Sequence, residues 1–203
     1  MGLADGGISF RSYFVDGEIP DDFRPLFLER IKMYQFEPLE VEAEEDISYG
    51  WVHVDNLLET RFERPDVYFQ DYLVLALRID KWSIPPALLK AAVKRSTAEK
   101  LAEADRAHLS KMERGELADR ERTRLKRMSL PSARSIDFCW NLTDMTLRFS
   151  SSSRSVNEMF CELFERTFNL NLVPQSPYMA CMHCGISDDL IGALADIEPA
   201  QLL

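Results

Sequence analysis

The alternation of apolar and polar positions divides the chain into strand-like and helix-like stretches. Residues 8–15 (ISFRSYFV) mix aromatic and β-branched residues and predict a first strand. Asp16, Gly17 and Pro20 punctuate it, and Asp21 is placed to cap a helix. Phe23, Leu26, Phe27, Ile31 and Tyr34 then recur at helical spacing, which predicts an amphipathic helix to about Gln35. Ser48–Val52 (SYGWV) reads as a short strand, and Tyr68–Ile79 as a buried strand with its lead-in. Residues 82–86 (WSIPP) stop that strand.

A long helical arm is predicted from Ala87 to Met128, ended by Leu130 and Pro131. Leu88, Leu89, Ala92, Val93, Leu101 and Ala102 mark its apolar stripe, and Gly115 is expected to break or bend it. Beyond Gly115, Leu117, Leu125 and Met128 lie on one side. Arg120, Arg124 and Arg127 form an adjacent basic stripe at i, i+4 and i+7.

After Pro131 the period changes to two. Ile136, Phe138, Trp140 and Leu142 point one way, and Asp137, Cys139 and Asn141 the other. Thr143 and Asp144 supply a turn, and Met145, Leu147 and Phe149 resume the alternation, which predicts a hairpin with one buried face. Ser153 or Ser155 is placed to cap a helix carrying Val156, Met159, Phe160, Leu163 and Phe164. Asn169–Val173 reads as an extended exit, and residues 188–195 as one short helix. Phe23, Leu26, Phe27 and Ile31 match Phe160, Leu163, Phe164 and Phe168 in spacing, which points to two related strand–helix halves joined by the arm.

The expected class is α+β: small mixed or antiparallel sheets with amphipathic helices and a long two-part basic helical arm. The expected organisation is one α+β domain over residues 1–178, with the arm at 86–129, and a short C-terminal tail over 179–203.

Charge changes this picture most. The 203 residues carry a net charge of −10. Between Arg78 and Arg134, however, 15 Lys and Arg face 8 Asp and Glu, a local balance of +7 that leaves −17 elsewhere. A basic arm on an acidic body fits a polyanion or an acidic partner surface. The competing reading is a solvated helix laced with Glu/Lys pairs. Glu40, Glu42, Glu44, Glu45 and Asp46 make an acidic run that reads as a solvated connection.

Other classes are disfavoured. No apolar run approaches the ~20 residues of a membrane span, and the N-terminus shows no secretory signal. Four cysteines are too few for a disulfide scaffold, so a reducing cytoplasm is expected. Cys181, His183 and Cys184 offer three metal-type ligands, but no second pair completes a zinc set, so no metal is expected. His53, His108 and His183 fall in unrelated settings. There is no nucleophile elbow and no phosphate-cradling glycine loop, so neither a cofactor nor catalysis is expected. Trp51, Trp82 and Trp140 are candidates for stacking on bases, although Trp140 fits the core and Trp51 strand packing better.

Several pieces, in order, resemble the recombination-associated protein RdgC family. They are Ser48–Val52 (SYGWV), Leu77–Lys81 (LRIDK) and Ile84–Lys90 (IPPALLK). The two-part charged arm ending at Leu130-Pro131 follows, then the hairpin containing Asp137 and the helix running into Leu172–Pro174. The resemblance spans roughly residues 8–178. It implies a mixed α+β fold and a ring-like homodimer that binds DNA without sequence preference and restrains a recombination protein, the RecA recombinase. It also implies a cytoplasmic, nucleoid-associated protein. Lys90 and Arg122 fall where the family also tends to be basic. Family members are longer, and their Leu-Pro-Arg-Ala-Phe segment reads Leu130-Pro-Ser-Ala-Arg134 here. The expected DNA contacts are Lys90, Lys94, Arg95, Lys100, Arg120, Arg122, Arg124, Arg127 and Arg134. The alternative is a protein-interaction or scaffold module of the same fold that has lost DNA binding.

Overall fold

The computed structural model describes residues 9–43, 45–54, 56–62, 66–187, 190 and 192. The elements run β1 (Arg11–Asp16), α1 (Phe23–Met33), β2 (Ile47–Val52), β3 (Tyr68–Phe69), β4 (Tyr72–Lys81), α2 (Pro86–Glu103) and α3 (Lys111–Arg127). They continue with β5 (Ser132–Asn141), β6 (Thr146–Phe149), α4 (Arg154–Phe168), β7 (Asn171–Pro174) and α5 (Pro177–His183). The α+β class holds, but the strands join one antiparallel sheet rather than several small ones. Its order is β2-β4-β5-β6-β1-β7, with β3 also paired to β4.

One face of this sheet carries the core. The alternation in β5 places Phe138 and Trp140 on the face where α1 and α4 lie. Phe27 of α1 stacks on Trp140 at 5.7 Å, and Phe160 of α4 stacks on Phe149 at 3.9 Å between ring centroids. Trp51 meets Phe138 at 5.3 Å, and its indole N–H donates to Thr167 Oγ1 at 2.8 Å, so its polar atom is satisfied inside the core. The two amphipathic helices each follow a strand and pack against one another.

The opposite face is covered in part. Phe36, Val52 and Ala76 form a small second cluster. Arg78 lies over the Phe36 ring at 4.0 Å and holds Asp80 through two hydrogen bonds of 2.8 Å. This covering explains why β4 shows no clean alternation: Leu75, Ala76 and Leu77 are all buried.

Some boundaries of the sequence reading hold and others shift. The stretch 68–79 is two strands, β3 and β4, separated by a turn in which Gln70 adopts φ 57°. The extended exit pairs as β7 with β1. The arm is broken at residues 104–110, not at Gly115, which lies inside α3. The cause is a capping box: Ser110 Oγ accepts from Glu113 N–H, and Glu113 Oε2 accepts from Ser110 N–H. Finally, Ser153 takes the N-cap position of α4 without a side-chain cap bond, and Asp22 rather than Asp21 precedes α1. The short helix expected at 188–195 lies largely outside the described residues, as does Ile8 of the first strand.

Two glycines test this architecture in opposite directions. A Cβ at Gly50 would lie 2.5 Å from Phe36 Cα and 2.7 Å from Phe36 N, where backbone crosses beside β2. Gly50→Ala should therefore destabilise the fold by about 1–3 kcal/mol in chemical denaturation. A Cβ at Gly115 meets nothing within 4 Å. Gly115→Ala should stabilise by roughly 0.5–1 kcal/mol, because alanine is the better helix former.

Candidate functional site

The sheet topology places the arm and the acidic run at one end of the molecule. β4 and β5 pair from Tyr72 with Asn141 to Lys81 with Ser132. The chain between Lys81 and Ser132 therefore leaves and re-enters the sheet at the same end, as the antiparallel helical hairpin α2–α3. β2 begins at Ile47, paired with Lys81, so the acidic run that precedes it sits at the hairpin's base. The Trp82 amide donates to the Asp46 carbonyl at 2.8 Å and extends that ladder by one step.

Within the hairpin, Ala92 of α2 and Leu117 and Leu125 of α3 are buried. Ser96 Oγ donates to Glu121 Oε1 at 2.7 Å across the two helices. Arg124 pairs with the same Glu121 at 2.8 Å, and Arg95 lies 3.8 Å from Glu99. At the tip, the Ser110 backbone N–H and the Arg106 guanidinium hold the Glu113 carboxyl down at about 2.

The base is an electrostatic latch between α3 and the acidic run. Arg122 donates to Asp46 Oδ2. Lys126 Nζ lies 3.1 Å from Asp46 Oδ1 and donates to the Ala43 carbonyl at 3.1 Å. Asp46 Oδ1 is buried without an aligned hydrogen bond, so its contact with Lys126 is one of charge. Arg127 pairs with Glu42 at 2.7 Å. The acidic run, expected to be a solvated connection, is thus in part a bound counter-surface for the basic helix.

Burial grades this latch. The Lys126 side chain is 4% exposed, Arg122 is 47% exposed, and both members of the Arg127–Glu42 pair are 64% exposed. Exposed pairs contribute about 0–1 kcal/mol, whereas a buried charged donor left without its partner costs more. Burial pushes the Asp46 carboxyl up, but the Lys126 and Arg122 contacts outweigh it and hold the group below its ordinary value of 3.8. The Arg127 hydrogen bond likewise lowers Glu42.

The nine expected DNA-contacting residues therefore separate. Arg122 and Arg127 are held by the acidic run, and Arg124 and Arg95 by carboxylates of their own helices. Lys90, Lys94, Arg120 and Arg134 are exposed and Lys100 is half-buried, and among the described residues none of these five forms an ion pair. Arg120 and Arg122, two positions apart on α3, point to different sides of it. Arg134 lies on β5 opposite Ile79. Lys126 was missed because a lysine inside a basic stretch gives no sign of being buried.

None of the three tryptophans is available for stacking. Trp51 and Trp140 are fully buried, and Trp82 is 7% exposed at the hairpin base. Cys181 and Cys184 are free thiols, and among the described residues no group of His, Cys, Asp or Glu is arranged to hold a metal ion. No helix among the described residues is long and apolar enough to cross a membrane.

The gradient in burial sets an order of mutational cost. Lys126→Ala should destabilise by about 1–3 kcal/mol in chemical denaturation, and Arg127→Ala by under about 1 kcal/mol. Asp46 also gives a pH signature. A carboxyl lowered in the folded state adds stability that is present above its ordinary value and lost as pH falls through the lowered one. Asp46→Asn should therefore flatten the fall in stability below about pH 4, read by thermal melts across acidic pH.

The chain matches no known family model and no curated protein.

Proposed function

We propose that the chain is a sequence-independent DNA-binding protein of RdgC-like type, with the α2–α3 hairpin as its DNA-facing element. The role is one of binding, without catalysis. The observation that carries this reading is the set of cations on and beside the hairpin, Lys90, Lys94, Lys100, Arg120 and Arg134, which form no ion pair among the described residues. Lys90 and Lys94 share one side of α2 at i, i+4. Long cationic side chains that keep their charge in water are suited to phosphates, which supply most of the affinity in non-specific DNA binding. Dimerisation and action on a recombination protein belong to the same proposal, as does nucleoid association.

A second reading has its own support. Leu88, Met112, Met128 and Leu130 are exposed on or next to the hairpin, with Leu130 at 91%. Apolar side chains interleaved with charge suit a protein partner, and on this reading the hairpin is an interaction module that has lost DNA binding.

A fluorescent DNA duplex titrated across a salt series separates the two, with the solution mass recorded alongside. The DNA reading expects binding that weakens steeply with salt, with a log–log slope on the order of −4 if all five cations reach phosphates. Lys90→Ala, Lys94→Ala and Arg120→Ala combined should reduce that slope by roughly 2–3. Absence of binding at low salt would favour the interaction module, and a dimer mass would support the family likeness.

A further inference from the structure

We infer that the acidic run competes with the polyanion for the hairpin, so that Arg122 and Arg127 of α3 reach it only when the Glu42 and Asp46 contacts are displaced. This rests on the DNA-binding reading above and concerns how that binding is restrained. Three cations of one helix, Arg122, Lys126 and Arg127, are taken up by two carboxylates far away in sequence, and carboxylates present the same kind of anionic oxygen as a phosphate diester. The contact is arranged to be exchangeable from its rim inwards. Arg127 and Glu42 lie in solvent, Arg122 is half-exposed, and Lys126 is enclosed.

Two cavities open beside Arg122. One of about 420 Å³ lies between Asp46, Trp82, Leu89 and Arg122. The other, of about 450 Å³, lies between Glu42, Asp119, Arg122 and Lys126. Mild acid does not open this latch, because its cations hold both carboxylates below their usual range. A denser array of negative charge is the competitor that does. Duplex DNA carries one charge per ~1.7 Å of axis and releases counterions when it is neutralised.

The test compares two charge-matched double variants of the full chain in binding a fluorescent DNA duplex. Glu42→Gln with Asp46→Asn removes the latch. Glu40→Gln with Glu45→Gln changes net charge equally, on exposed residues of the same run that form no ion pair among the described residues. The latch variant should bind at least about tenfold tighter than wild type at low salt. Its slope should be steeper by roughly 2, because Arg122 and Arg127 reach phosphates while Lys126 stays enclosed on the Ala43 carbonyl. The control should stay within about twofold of wild type. Glu42→Gln alone alters only a solvent-exposed pair and frees Arg127. It should steepen the slope by about 1, which tests the same idea if the double variant folds poorly. Equal gains in both double variants, or none in either, would overturn the latch while leaving the DNA reading intact. No binding by wild type or any variant would overturn the DNA reading, and the latch with it.

Discussion

The pairing of β4 with β5 is the constraint from which the rest of the molecule follows. These are the two longest strands among the described residues, ten residues each, and they lie side by side in the interior of the sheet. Their inward residues, Leu73, Leu75, Leu77, Phe138 and Trp140, make the floor on which the aromatic faces of α1 and α4 rest. Their end at Lys81 and Ser132 dictates where the hairpin begins and ends. Closing a long excursion costs only slightly more than closing a short one. A helical pair whose apolar sides meet each other needs little support from the sheet. The hairpin can therefore project, and its charged sides are left free to meet other charges.

Those charges reach a partner within the same chain because β2 sits on the other side of β4. The register of Ile47 with Lys81 brings the residues just before β2 level with the base of α3. The Trp82–Asp46 backbone hydrogen bond fixes Asp46 there before any side chain is considered. Its carboxylate then faces Arg122 and Lys126 because the ladder has placed it. The charge asymmetry of the sequence, +7 in the arm against −17 elsewhere, is thus partly an internal complementarity.

The fold was legible wherever one face alone is buried. The period of two through Ile136, Phe138 and Trp140, and the helical spacing through Val156, Phe160 and Phe164, each report a single inward face. β4 is buried on both faces and so shows a continuous apolar run without phase. The break in the arm was also written in the sequence, as Ser110 followed three residues later by Glu113, but Gly115 is the louder signal for a helix breaker. It is tolerated because a helix interior facing open space asks only a modest propensity cost of glycine. The turn at Gln70 carries a positive φ without Gly or Asn, so nothing local announced it.

The site was legible as two charge blocks but not as a contact between them. Arg122 and Asp46 are 76 positions apart, and Arg127 and Glu42 85 apart. Only the sheet register says that they meet. Charge counting also treats every lysine and arginine as equivalent, and the base of α3 shows why that fails. Within six residues the helix runs from Arg122, half in solvent, to Lys126, enclosed, and back out to Arg127. An enclosed lysine bonded to a backbone carbonyl belongs to the fold, because removing its partners strands a charge. An arginine paired in solvent binds its carboxylate hardly more strongly than it would bind any other anion. The division between what holds this protein together and what is free to bind therefore runs through a single turn of α3, set by burial and not by residue type.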